Sequence, residues 1–153
     1  RSNYNLDPSN NKIKVFVSAP HYRGFGVSGA SHLYSENKIT SAETLDIELS
    51  GASELKIDAK APRINSDLSG ASSILITGET RDFNVEGSGA SGIKCFDLKT
   101  ENTTVNISGA CSAEIFASVK LDVQASGASG VEYKGAPAIT QDLSGASNLK
   151  KVD

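Results

Sequence analysis

The sequence predicts an all-β fold, a right-handed parallel β-helix (β-solenoid) of about 18–22 residues per coil, and three observations predict it. First, the tetrapeptide Ser-Gly-Ala-Ser begins at Ser28, Ser50, Ser69, Ser88, Ser126 and Ser144, with a Ser-Gly-Ala-Cys variant at Ser108, at spacings of 22, 19, 19, 20, 18 and 18. Second, alternate positions on both sides of each copy are apolar, which is the period of a half-buried strand and not the 3.6 of a helix. Third, so short a unit cannot bury its apolar face alone, so successive units must stack and share one core. The L-x-x-L-x-L signature of leucine-rich repeats is missing, and a propeller blade is about twice this length. Parallel crossovers are right-handed almost without exception. Spacings of 19, 20 and 22 also spoil the 18-residue turn of a left-handed hexapeptide solenoid.

In chain order, Arg1 to Asn11 read as a loosely held lead-in to a single solenoid domain over residues 12–153. Ile13, Val15 and Val17 alternate with Lys12, Lys14 and Phe16 to make a first strand, whose uncovered edge invites association with another chain. Each later coil carries one strand before its corner and one after it. Leu45, Ile64, Phe83, Thr103, Leu121 and Ile139 stand five residues before the first Ser of the motif; Ile47, Ser66, Val85, Val105, Val123 and Gln141 stand three before. After the corner the inward columns are Leu55, Ile74, Ile93, Ala113, Val131 and Leu149, then Ile57, Ile76, Cys95, Ile115 and Tyr133. The longest spacing, between Ser28 and Ser50, holds Glu36 to Glu43 and is the candidate for a protruding loop. Eight coils or so at the strand spacing give a rod about 35 Å long.

The corners hold seven of the chain's 14 glycines. Glycine accepts φ > 0 and lets neighbouring coils approach, and the serine hydroxyls can satisfy one another and the corner carbonyls. No P-loop lysine accompanies the repeats, so a phosphate cradle is a weak reading.

Composition narrows the function classes. Fifteen basic against 18 acidic residues give a net charge of 15 − 18 = −3, which argues against nucleic-acid binding. With no Trp, no Met and nine aromatic residues, a large aromatic-walled cofactor pocket is not expected. The apolar runs fall far short of the roughly 20 residues of a membrane span. Cys95 and Cys111 provide neither a disulfide framework nor metal-ligand spacing.

The residues between the inward columns must point out. Four before each motif stand Asp46, Asn65, Asn84, Thr104, Asp122 and Thr140; two before stand Glu48, Asp67, Glu86, Asn106, Gln124 and Asp142. On a parallel sheet they form a two-column acidic and amide grid without Lys or Arg. Glu48, Asp67 and Glu86 stack on successive coils, where like charges repel. Water, a hard cation such as Ca²⁺, or the hydroxyls of a bound glycan would each relieve that repulsion. The outward column on the other strand, Tyr34, Lys56, Leu75, Lys94, Glu114, Glu132 and Lys150, reads as an ordinary solvated face. Phe96 and Phe116 occupy equivalent places in adjacent coils and are expected to stack and close a corner.

The serial Ser-Gly-Ala-Ser corners resemble those of a known family, as do the strand Lys12-Ile-Lys-Val-Phe-Val-Ser-Ala-Pro20 and the ending Gly135-Ala-Pro-Ala-Ile followed by Asp142-Leu-Ser-Gly-Ala-Ser-Asn-Leu-Lys-Lys-Val152. That family is the putative auto-transporter adhesin, head GIN domain family of bacterial secreted and surface proteins. The resemblance implies a β-solenoid outside the cell, at its surface or in the periplasm, with an adhesive role towards glycans or surface proteins. It also implies a longer N-terminal part than is present here.

The rival reading is a pectinase-like polysaccharide lyase or hydrolase, since parallel β-helices host such enzymes. It needs paired carboxylates, a Ca²⁺ cluster, and an Arg or Lys for the proton or the developing charge. The nearest basic residues, Lys60, Arg63 and Arg81, are expected in connecting segments, and His21 and His32 lack a recognisable catalytic partner. No catalytic residue, cofactor or metal ligand is therefore assigned, and the expected role is a non-catalytic scaffold.

Overall fold

The computed structural model describes residues 2–7 and 12–153. Among them every regular element is a strand: β1 (Ser2–Asp7), β2 (Lys12–Val17), β3 (Gly24–Val27), β4 (His32–Tyr34), β5 (Ile39–Thr40), β6 (Leu45–Leu49), β7 (Glu54–Leu68), β8 (Ser73–Gly87), β9 (Gly92–Lys94), β10 (Leu98–Ile107), β11 (Ser112–Phe116), β12 (Lys120–Ala125), β13 (Gly130–Lys134), β14 (Ala138–Leu143) and β15 (Asn148–Lys151). From β3 onward all ladders are parallel and join strands one coil apart in sequence. The fold is a parallel β-solenoid of about seven turns.

The inward columns stack as their alternation requires. Leu45 pairs with Ile64, Ile64 with Phe83, Phe83 with Thr103 and Thr103 with Leu121, and each of the five is at most 1% exposed. Burying each large aliphatic side chain stabilises by roughly 1.5–3 kcal/mol. Thr103 is tolerated in this column because its hydroxyl donates to the Phe116 carbonyl at 2.9 Å and pairs with the Thr100 hydroxyl at 2.6 Å. Ile139, placed in the same column, is instead 42% exposed on β14.

Each corner is hydrogen-bonded to the one below: Ala71 N–H donates to the Gly51 carbonyl at 2.8 Å and Ala90 N–H to the Gly70 carbonyl at 2.8 Å. Gly89 has φ +80, and a Cβ there would lie 2.6 Å from the Gly70 carbonyl oxygen, so both backbone shape and coil approach demand glycine. At five of the seven corners the fourth motif residue closes its own turn. Ser72 Oγ donates to the Ser69 carbonyl at 2.7 Å, Ser129 Oγ to the Ser126 carbonyl at 2.9 Å, and Cys111 Sγ takes the same place on Ser108 at 3.1 Å.

Three expectations change. Lys12–Val17 pairs antiparallel with Ser2–Asp7 in a two-stranded sheet of its own, which is why seven turns are found and not eight; Arg1 and residues 8–11 of the lead-in lie outside the described residues. Four successive coils also share a third pairing run, such as Ala59–Lys60 on Gly78–Glu79, that two strands per repeat left out. The long spacing does not simply protrude, because Ile39 pairs with Ala59 and is buried at 8% exposure.

Candidate functional site

The outward grid lies on β6, the ends of β7, β8 and β10, then β12 and β14. Parallel pairing with the corners in register sets one residue of each coil against its counterpart in the next. Asp46, Asn65, Asn84, Thr104, Asp122 and Thr140 are successive partners in one column; Glu48, Asp67, Glu86, Asn106, Gln124 and Asp142 are successive partners in the other. All twelve are exposed or half-buried, and none points into the core. From β6 to β12 the two columns wall an open depression of about 580 Å³, with Ile47, Ser66, Val85 and Val105 between them.

The columns differ chemically. In the first, Asn84 Nδ2 donates to Asn65 Oδ1 at 3.0 Å and Asn65 Nδ2 donates to Asp46 Oδ1 at 2.8 Å, an amide ladder that ends on a carboxylate. Further along, Lys120 Nζ meets Asp122 Oδ2 at 2.7 Å. The grid columns contain no cation, but Lys120, two residues before Asp122 on the same strand face, supplies one at their edge. In the second column no described Lys, Arg or His lies within 4.0 Å of Glu48, Asp67 or Glu86. Among the described residues no group of three or more His, Cys, Asp or Glu is placed to hold a metal ion.

The basic residues near this face belong to ion pairs. Lys60, Arg63 and Arg81 sit within β7 and β8, not in connecting segments. Lys60 Nζ meets Glu79 at 2.9 Å, while Arg63 and Arg81 converge on Asp82 Oδ2 at 3.4 and 2.9 Å. Asn102 Nδ2 donates to Asp82 Oδ1 at 2.9 Å. That hydrogen bond foremost, with the two guanidiniums, holds the Asp82 carboxyl below its ordinary pKa. Arg63 and Asp82 are register partners two residues before Asn65 and Asn84, so this cation stands at the edge of the grid, as Lys120 does, and is held by a carboxylate.

Elsewhere, His32 Nδ1 lies 3.1 Å from Glu54 Oε2 on the opposite strand run, and His21 is exposed. Lys150 pairs with Glu132 at 3.7 Å, as a solvated mixed-sign column should. Phe96 and Phe116 do not form an aromatic pair; Lys134 Nζ sits 4.7 Å from the Phe96 ring centre and Lys99 Nζ 4.3 Å from that of Phe116. An ammonium thus lies over each half-buried ring, a pairing that no periodicity announces. Cys95 and Cys111 are free and buried, and burial pushes the Cys95 thiol up to about 12. No helix among the described residues is long and apolar enough to cross a membrane.

The family model described as putative auto-transporter adhesin, head GIN domain, matches residues 1–137. Among solved structures, a putative adhesin from Bacteroides fragilis NCTC 9343 is similar at 20% identity and a TM-score of 0.85, covering 99% of this chain and 76% of that one. A putative adhesin from Parabacteroides merdae ATCC 43184 is similar at 16% identity and a TM-score of 0.80, covering 99% and 78%. A putative lipid binding protein from Parabacteroides distasonis ATCC 8503 is similar at 13% identity and a TM-score of 0.70, covering 98% and 79%. These likenesses share the fold. No curated protein matches the chain.

Proposed function

This chain belongs to the putative auto-transporter adhesin, head GIN domain family, and from that membership we propose a non-catalytic binding scaffold at the cell surface or in the envelope, contacting glycans through its two-column polar face. The observation that carries the reading is the register: identical or similar hydrogen-bonding groups recur once per coil along an open depression of about 580 Å³. A glycan chain laid along the solenoid axis offers hydroxyls that donate to Glu48, Asp67 and Glu86 and accept from the remaining N–H groups of Asn65 and Asn84. Rigid strands hold these groups in place, so little conformational freedom is lost on binding.

A glycan array tests the reading. Dose-dependent binding that is lost in Asp67→Ala and Asn84→Ala supports it, and binding unchanged in both overturns it. Incubation with polygalacturonate and Ca²⁺, following the unsaturated product, tests the non-catalytic half; product formation overturns it.

Val15 and Val17 on β2 are 50% and 65% exposed. That end is the proposed place of association with another chain. Light scattering reads it: mass rising with concentration supports association, and a constant monomeric mass counts against it.

A further inference from the structure

A second depression, of about 350 Å³, lies on the strand run after the corners, away from the grid. Tyr34 lines it, with Lys56 and Leu75 as its partners on the next two coils. The chain between Tyr34 and Ile39, part of the longest repeat, forms one wall. That wall is fastened: Lys38 Nζ lies 3.6 Å from Asp58 Oδ1, and Asp58 N–H donates to Ser35 Oγ at 3.1 Å.

Tyr34 is 57% exposed yet held at two points. Its hydroxyl donates to Glu54 Oε2 at 3.1 Å, and its ring lies 11° from parallel to the His32 ring, with centroids 6.3 Å apart. His32 in turn meets the same carboxylate oxygen at 3.1 Å. An aromatic ring fixed before a ligand arrives loses little rotamer freedom on binding. Lys56, between Tyr34 and Leu75, has no described carboxylate within 4.0 Å.

We propose that this depression binds one hexuronate residue, its C–H face on the Tyr34 ring beside Leu75 and its carboxylate on the Lys56 ammonium. A pyranose ring has one face rich in C–H groups, which the negative face of an aromatic ring attracts, and hydroxyls at its rim for Asp58 and Thr77. The free cation selects the acidic sugar over its neutral counterpart. This site stands apart from the polar grid and does not depend on it.

The test is an amide NMR titration of the intact protein with methyl β-glucuronide and, separately, methyl β-glucoside. Saturable shifts centred on Tyr34, Lys56, Leu75 and Thr77 with the glucuronide are the expected result. Tyr34→Ala weakens that binding about tenfold, the size of one stacking contact. Lys56→Gln brings the glucuronide down to the level of the glucoside. Asp67→Ala leaves this titration unchanged, so the two sites fail separately. Both substituted side chains at this site are solvent-facing, and an unchanged spectrum elsewhere verifies the fold. Absence of saturable shifts at these amides, or equal binding of the two glycosides by the unsubstituted protein, overturns the assignment.

Discussion

Asn84 donates to Asn65 across one coil at 3.0 Å, linking side chains 19 residues apart in sequence. Asn65 in turn donates to Asp46 at 2.8 Å, so the middle amide both accepts and donates. Replacing it with aspartate removes the donor and sets a carboxylate against Asp46. Asn65→Asp is expected to lose about 1 kcal/mol at neutral pH in urea unfolding.

Gly89→Ala is expected to cost about 3 kcal/mol or more. The residue must hold φ +80, and its Cβ would press on the Gly70 carbonyl at 2.6 Å. Thermal unfolding reads the loss. Ala90→Ser, one residue on at an exposed position, changes stability far less.

The two cysteines are expected to respond differently to serine. Cys111→Ser restores the residue of six other corners and its bond to the Ser108 carbonyl, so stability changes by less than about 1 kcal/mol. Cys95 stands between Ile76 and Ile115 in an inward column at 1% exposure. Cys95→Ser places a hydroxyl in an apolar column, and costs about 1–3 kcal/mol. Thiol labelling offers an independent measure. With its pKa pushed to about 12, Cys95 reacts with a disulfide reagent at neutral pH chiefly on unfolding.

Asp82 is expected to make folding stability fall in acid. Its carboxyl pKa is lowered in the folded state, by the Asn102 hydrogen bond first and then by Arg81 and Arg63. Its contribution is therefore present above the unfolded carboxyl value, near 3.9, and is lost as pH falls through the lower folded value. Asp82→Asn should flatten that acid limb in unfolding curves taken from pH 6 downward. An unaltered limb shows that other carboxylates set it.

The winding was readable because it is a local property repeated. Each Ser-Gly-Ala-Ser corner needs a small residue at positive φ, and each flank alternates with period two, so the grid residues from Asp46 to Asp142 could be placed outward before any coordinates. The N-terminal strand was less readable. Ile13, Val15 and Val17 alternate like the strands of any coil, and alternation does not distinguish an antiparallel partner from a parallel one.

By itself, then, the sequence determined the β-solenoid, its inward columns and the two polar columns, because steric demand at the corners and burial at alternate positions act on neighbouring residues. Tertiary structure alone decided which side chains meet. Lys120 reaches Asp122, Arg63 and Arg81 share Asp82, lysines cover Phe96 and Phe116, and Glu54 holds both His32 and Tyr34. Most of these contacts cross from one coil to the next, and all depend on side-chain reach and rotamer, which a repeat brings within range but does not select.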